Sequence, residues 1–337
     1  MPRRPLRWGV AGHGDIVRRR ALPALRDLGE PPRVLWGRDP ARTRAAARDL
    51  GVPRATTDPD AFAAAADVVY IATPVAAHAP LLAAALRAGR PALVEKPLFG
   101  ARGPADGPVP PLPPPGGPVA GAAYYRRLAP AVLRLRELLR GRTVTAAASD
   151  FRAPFSPAAD DPMRWRLDPA VAGGGVLADA GSHRLDLLCH LLGGVPEVAA
   201  AAVDRTGPGG VEHAARLRLV WPSGATADVR AAWAEGPGRD RFAVACTGGH
   251  LALDPLDSGR ITGRLDGAAV DEVHPPHANP HLPLLADFGR AVRAGTAPAC
   301  PAAEAYRVDR VLTAAYAAAD SAAPPAAPLR RLGGQAR

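Results

Sequence analysis

Lysine is almost missing from this chain of 337 residues: of 42 Lys and Arg residues only Lys96 is a lysine. Asparagine and glutamine occur once each, as Asn279 and Gln335, and isoleucine three times. This skew is that of a GC-rich coding bias, under which Lys drifts to Arg wherever a generic positive charge suffices. A retained Lys96 therefore points to a task that a guanidinium cannot perform. An ammonium can give up its proton near neutral pH in a tuned site, whereas Arg does not. Cysteine is scarce as well. Cys189, Cys246 and Cys300 are far apart and odd in number, with no CxxC or Cys/His metal spacing. That excludes a disulfide framework and predicts reduced thiols in or near a core, in a cytoplasmic protein. No apolar run reaches the roughly 18 residues that a membrane span needs, and a strand-like LRWGVAG begins at once, so neither membrane insertion nor a signal peptide is expected.

What the chain has in plenty is arginine, alanine, glycine and proline. The formal charge is +10 and 47% of the residues are hydrophobic. The arginines, such as Arg18–Arg20, Arg42, Arg44 and Arg134, scatter over helix-like faces and accompany no nucleic-acid reading motif. They predict a solvated surface and no nucleic-acid partner. The length suits two domains of about 100–200 residues each.

The first hundred residues alternate short apolar runs with helical periods. Strands are expected at 7–12, 33–37, 68–74 and 91–97, and helices at 16–28, 39–51, 58–66 and 78–89. This order predicts a parallel sheet with right-handed crossovers. Residues 101–119 carry eight prolines and no helical period. They predict an extended segment, long enough for a coil crossover between parallel strands. A strand is expected at 120–127 and a helix at 129–141. Strand-like stretches come next at 143–153, 196–205, 213–221, 225–233 and 241–248, interrupted by a helix at 176–192. Helices at 281–293 and 302–319 close the chain. The fold class is α/β: a domain over 1–120, then a domain over 121–337 with a large, mostly antiparallel open sheet.

Three stretches carry chemistry. GVAGHGDIV places Gly12 and Gly14 between a strand and a helix, where backbone can approach a pyrophosphate and the helix N-terminus favours its charge. Val17 stands where a GxGxxG pattern has its third glycine. The second strand ends in Trp36-Gly37-Arg38, with no acid to take a ribose 2′-hydroxyl. A guanidinium there suits a 2′-phosphate, so NADP is expected over NAD. In GGGVLADAGSHRLDLLCHLLGG, Asp179, His183 and Asp186 are spaced i, i+4 and i+7, as on one helix face. Asp179 is thus expected to orient His183 and raise its pKa. The triple glycine before them implies close backbone approach to something. His274, His277 and His281 in HPPHANPH lack a Cys or acid partner and predict a mobile loop near the site, not a metal centre. No GxSxG elbow accompanies a hydrolase reading.

These residues together resemble the Gfo/Idh/MocA family of NAD(P)-dependent sugar and cyclitol oxidoreductases, over nearly the whole chain. The similarity rests on GVAGHGDI, on DVVYIATPVAAHAPLLAAALRAGRPALVEKPL (67–98), on YYRRLAP (124–130) and on WRLDPAVAGGGVLADAGSHRLDLLCHLLG (165–193). It implies a Rossmann domain followed by an α/β domain whose open sheet serves as a subunit interface, hence a homodimer or homotetramer. It implies catalytic roles for Lys96, Asp179 and His183. It implies cofactor contacts from Gly12, Gly14, Asp15, Ile16, Arg38, Thr73, Pro74, His78, Glu95, Lys96, Trp165 and Arg166. Tyr124, Arg126 and Asp186 would meet a small-molecule sugar or cyclitol. His183 would act as general acid and base, and Lys96 would stabilise alkoxide charge. Two departures stand out: Val17, and the proline-rich 101–119 where the family has a helix. They motivate a rival reading, a non-catalytic dinucleotide-binding sensor or assembly partner.

Overall fold

The computed structural model describes residues 4–100, 112–114, 116–207 and 209–321. Its first sheet contains β1 (Trp8–Ala11), β2 (Val34–Trp36), β3 (Arg54–Thr56), β4 (Val68–Ile71), β5 (Ala92–Val94) and β6 (Ala120–Ala122). All pair in parallel, in the order β3-β2-β1-β4-β5-β6. Helices cover both faces, which is why β1, β2, β4, β5 and β6 are buried at every position. The reversal of strand order between β1 and β4 opens a crevice at their C-terminal ends, beside Gly12 and Ala72.

The second sheet contains β7 (Val144–Ala153), β8 (Glu197–Arg205), β9 (Glu212–Val220), β10 (Thr226–Trp233), β11 (Arg239–Cys246), β12 (Gly249–Leu253), β13 (Arg260–Leu265) and β14 (Ala268–Val273). Their order is β14-β13-β12-β11-β7-β10-β9-β8, antiparallel except for the β7–β10 pair. The helices Ser182–Leu192 and Ala302–Ser321 pack on each other, and the second also reaches β6 and β8.

Several expected elements differ. The strand expected at 120–127 stops at Ala122, and Tyr125–Leu128 form a 3-10 turn before the helix Pro130–Leu138. β6 thus runs through the expected domain boundary at 120. Because β5 and β6 are parallel neighbours, the proline-rich segment between them makes the crossover; its residues 101–111 and 115 lie outside those described. The helix expected at 176–192 begins as a π-turn, Leu177–Gly181, which changes the angular spacing between Asp179 and the residues C-terminal to it.

One buried carboxyl ties the helix Ala302–Ser321 to the loop after β5. Asp309, 2% exposed, accepts hydrogen bonds at Oδ1 from the N–H of Gly100 at 3.1 Å and of Phe99 at 3.4 Å. Its Oδ2 is buried without a partner among the described residues. Burial pushes this carboxyl up to about 8 from 3.8, against the pull of those N–H groups. Between those two values the native state holds a proton that the unfolded chain has released, so the stability it contributes is lost as pH rises through the window. Asp309→Asn should therefore raise the thermal midpoint at pH 8, with the gain vanishing toward pH 4. Denaturation scans at the two pH values check this.

Candidate active site

The crevice is built by four loops and a turn of helix. Gly12 has φ +95°, and a Cβ on it would lie 2.5 Å from the carbonyl oxygen of Ala72, so only glycine fits. Gly14 has nothing within 4 Å of such a Cβ and leaves the mouth of the turn open. Val17 is fully buried and packs into the core beneath the first helix, away from the cleft. Its size is thus absorbed by the core, and the turn at Gly14 stays open.

Gly12, Gly14, Asp15, Ile16, Arg38, Thr73, Pro74, Glu95, Lys96, Trp165 and Arg166 line one cleft of about 380 Å³ together with Asp179. At its far end lie Trp36, Gly37, Arg38 and His13. Arg38 makes no ion pair or hydrogen bond among the described residues. Burial, with Arg18 and Arg42 nearby, pulls the pKa of His13 down. His78 does not reach the cleft. It is fully buried, with Nε2 2.9 Å from the Thr73 carbonyl and Nδ1 3.1 Å from that of Leu98. It staples the Thr73 loop to the Lys96 loop from behind.

Lys96 Nζ donates to Asp179 Oδ1 at 2.7 Å and to the Asp179 carbonyl at 3.0 Å. Arg166 Nε lies 3.1 Å from Asp179 Oδ2. Burial raises the pKa of this carboxylate, but Lys96 and Arg166 outweigh burial and hold it below the ordinary value. Asp179 therefore orients Lys96. This corrects the expectation that it orients His183, and the π-turn that carries Asp179 is the physical reason.

His183 is 7% exposed and wedged between aromatic rings, 5.7 Å from Tyr124 and 5.1 Å from Tyr125 by ring centres. Its Nδ1 is buried with no partner among the described residues. Burial first, then the positive charges of Arg126 and Lys96, push its pKa well below 6.5, opposite to the expected direction. His183 does not itself line the cleft, although the charge of Lys96 acts on its ring.

The three expected substrate contacts fare differently. Arg126 is held by Asp257 through Nε at 2.9 Å and Nη2 at 2.5 Å, with its guanidinium 4.9 Å from the Tyr125 ring. Tyr124 is 1% exposed and supports His183 from below. Asp186 is fully buried and bound by Arg127, so it braces the site and cannot touch a substrate. Helical spacing puts it on the face of His183 but does not reveal the arginine above it.

The triple glycine packs closely against protein, and Gly174 also lines the cleft. A Cβ on Gly175 would lie 2.0 Å from the Glu212 carbonyl oxygen, and the buried Glu212 carboxylate accepts from the N–H groups of Gly175 and Leu177. This contact seats the π-turn on β9. The histidines of HPPHANPH separate: His274 bonds Glu272 at 2.8 Å, His277 is exposed, and His281 is buried at the head of a helix. Among the described residues no group of three or more His, Cys, Asp or Glu could hold a metal. Pro162, Met163, Val171 and Ala172 also line the cleft; nothing in their residue types signals it.

Known proteins share this fold. Residues 6–102 match the oxidoreductase family model with an NAD-binding Rossmann fold, and residues 133–252 match the GFO/IDH/MocA C-terminal domain. A D-xylose 1-dehydrogenase (NADP(+)) from Haloferax volcanii is 30% identical over 94% of this chain and 98% of its own length. A dTDP-3,4-didehydro-2,6-dideoxy-alpha-D-glucose 3-reductase from Streptomyces antibioticus is 32% identical over 88% and 91%. In fold, the chain resembles an aldose-aldose oxidoreductase from Caulobacter crescentus, with TM-score 0.79 and 24% identity over 94% of this chain and 98% of that one. With the dinucleotide turn, the Lys96–Asp179 pair and both domain matches in place, the chain belongs to the GFO/IDH/MocA family of oxidoreductases.

Proposed function

We propose that the protein is an NADP(H)-preferring oxidoreductase that interconverts a hydroxyl and a keto carbon on a sugar or sugar derivative, with a cyclitol as the remaining substrate class. The observation that carries this is Lys96, the only lysine, held 2.7 Å from Asp179 inside the cleft. A nicotinamide dinucleotide supplies or accepts the hydride when bound. The residues fit such a group: Gly12 and Gly14 leave room for a pyrophosphate, and Arg38, with no partner among the described residues, suits a 2′-phosphate. Lys96, oriented by Asp179, donates a hydrogen bond to the reacting oxygen. His183, neutral and sealed at Nδ1, receives or returns the proton there. The rings of Tyr124 and Tyr125 fix His183 and exclude water.

The relatives support the sugar class. Besides the xylose dehydrogenase and the dTDP-sugar reductase, a 1,5-anhydro-D-fructose reductase from Ensifer adhaerens is 30% identical over 73% of this chain. All three carry enzyme names, which disfavours the sensor reading. The open sheet, with alternate residues of β8 exposed, is the surface through which a homodimer or homotetramer would form. Three free, buried cysteines accord with the reducing cytoplasm.

A fluorescence titration tests the cofactor. NADPH should bind roughly tenfold or more tightly than NADH, the worth of a charge-assisted hydrogen bond. Arg38→Ser should bring the two affinities together. Equal affinities in the unmodified protein would correct the cofactor preference, and no binding of either would overturn the oxidoreductase reading.

A further inference from the structure

We infer that His281 is a positioning residue for the Lys96 loop and acts through Glu95. The Glu95 side chain lines the cleft, is 13% exposed, and is gripped by three donors. Its Oε1 accepts from the Tyr70 hydroxyl at 2.5 Å and from His281 Nε2 at 3.3 Å. Its Oε2 accepts from the backbone N–H of Lys96 at 3.2 Å. The donors come from β4, from the loop itself, and from the helix His281–Ala294, which packs on the core of the first sheet. The carboxylate that fixes the Lys96 backbone is thus itself fixed by a residue 186 positions further along the chain.

His281 is held as firmly as the group it grips. It is 2% exposed, and its ring meets Tyr125 at 5.6 Å, on whose other contact lies His183. Its backbone N–H donates to Asn279 Oδ1 at 3.0 Å, while Asn279 Nδ2 donates to the Arg20 carbonyl at 2.9 Å. Arg20 returns a bond from Nη1 to the Ala278 carbonyl at 3.2 Å. Asn279 is the chain's one asparagine. The composition argument that singled out Lys96 applies again: this position needs an acceptor and a donor on two separate atoms of one short side chain, which neither an ionised Asp nor Ser provides. The only Asn thus anchors the residue that, through Glu95, aims the only Lys.

The inference rests on the reading of Lys96 as the group that meets the reacting oxygen, but its test does not. Because Lys96 is the sole lysine, acetic anhydride modifies one side-chain amine, and peptide mass spectrometry separates it from the α-amino group. His281→Phe keeps a ring against Tyr125 and deletes the donor. Lys96 acetylation should accelerate several-fold, and kcat should fall roughly tenfold or more, with KM for the sugar changed less, as for loss of a hydrogen bond to a buried charge. His281→Gln, which retains a nitrogen donor, should recover most of both. Acetylation rate and kcat equal to the unmodified protein in His281→Phe would overturn the inference. Should His281→Phe not fold, Asn279→Ala carries the test: faster acetylation supports it, and an unchanged rate overturns it. Faster acetylation in the variant of a protein that turns over no sugar supports the positioning role and removes the proposed function instead.

Discussion

Lys96→Met should lower kcat by roughly 10²–10⁴-fold, the range expected when a charge-stabilising and proton-sharing group leaves a site. Methionine matches the length of the side chain without its charge, so the cleft keeps its shape. On the proposed reading the dinucleotide would be held mainly at the Gly12 turn and Arg38, so NADPH affinity should change by less than about tenfold. Lys96→Arg should fare little better. A guanidinium is longer, planar and fixed in charge, and Nζ now fits between Asp179 Oδ1 and the Asp179 carbonyl. Steady-state kinetics with a sugar substrate, beside the fluorescence titration, give both quantities. A kcat within about tenfold of the unmodified protein would mean that Lys96 is not at the reacting oxygen.

Much of this site is legible in the residues because its parts obey local rules. Short apolar runs between glycine-stopped helices can only be a buried parallel sheet, and its topology dictates where a crevice opens. Composition marks Lys96 without any knowledge of fold. What is not legible depends on contacts remote in the chain. β12 to β14 are short, β12 and β13 each carry a glycine, and they become strands because β11 offers an edge. The parallel β7–β10 pair has no sequence mark at all. Asp179 and His183 sit at helical spacing, yet a π-turn and two cations from distant segments, Lys96 and Arg166, decide which partner Asp179 takes. His281 is visible as a histidine among prolines. Only the packing of the helix His281–Ala294 on the first domain brings it to Glu95.

Arg127→Met should cost about 3–5 kcal/mol of stability, the usual penalty for removing one partner of a buried ion pair. Arg127 and Asp186 are 2% and 1% exposed at their side chains. The guanidinium reaches Asp186 Oδ1 through Nη2 at 2.7 Å, and through Nη1 it reaches Glu304 at 2.6 Å and the Ala299 carbonyl at 3.2 Å. It thereby joins the turn that presents Tyr125 and Arg126, the helix that carries His183, and the helix Ala302–Ser321. Even with Arg127 in place, burial pushes the Asp186 carboxyl up to about 6. Without it the same burial acts unopposed, and the group must hold a proton to stay inside. A raised pKa gives stability that is lost as pH rises, so the deficit of the variant should be larger at pH 8 than at pH 5. Denaturant unfolding at the two pH values measures it. Adding Asp186→Leu should recover much of the loss, since an apolar pair of similar volume leaves no buried charge. Turnover should not recover with it, because the leucine cannot hold the Tyr125 turn against the helix of His183. Recovery of both would reduce the pair to packing. Recovery of stability alone would show that this buried ion pair serves the geometry of the active site.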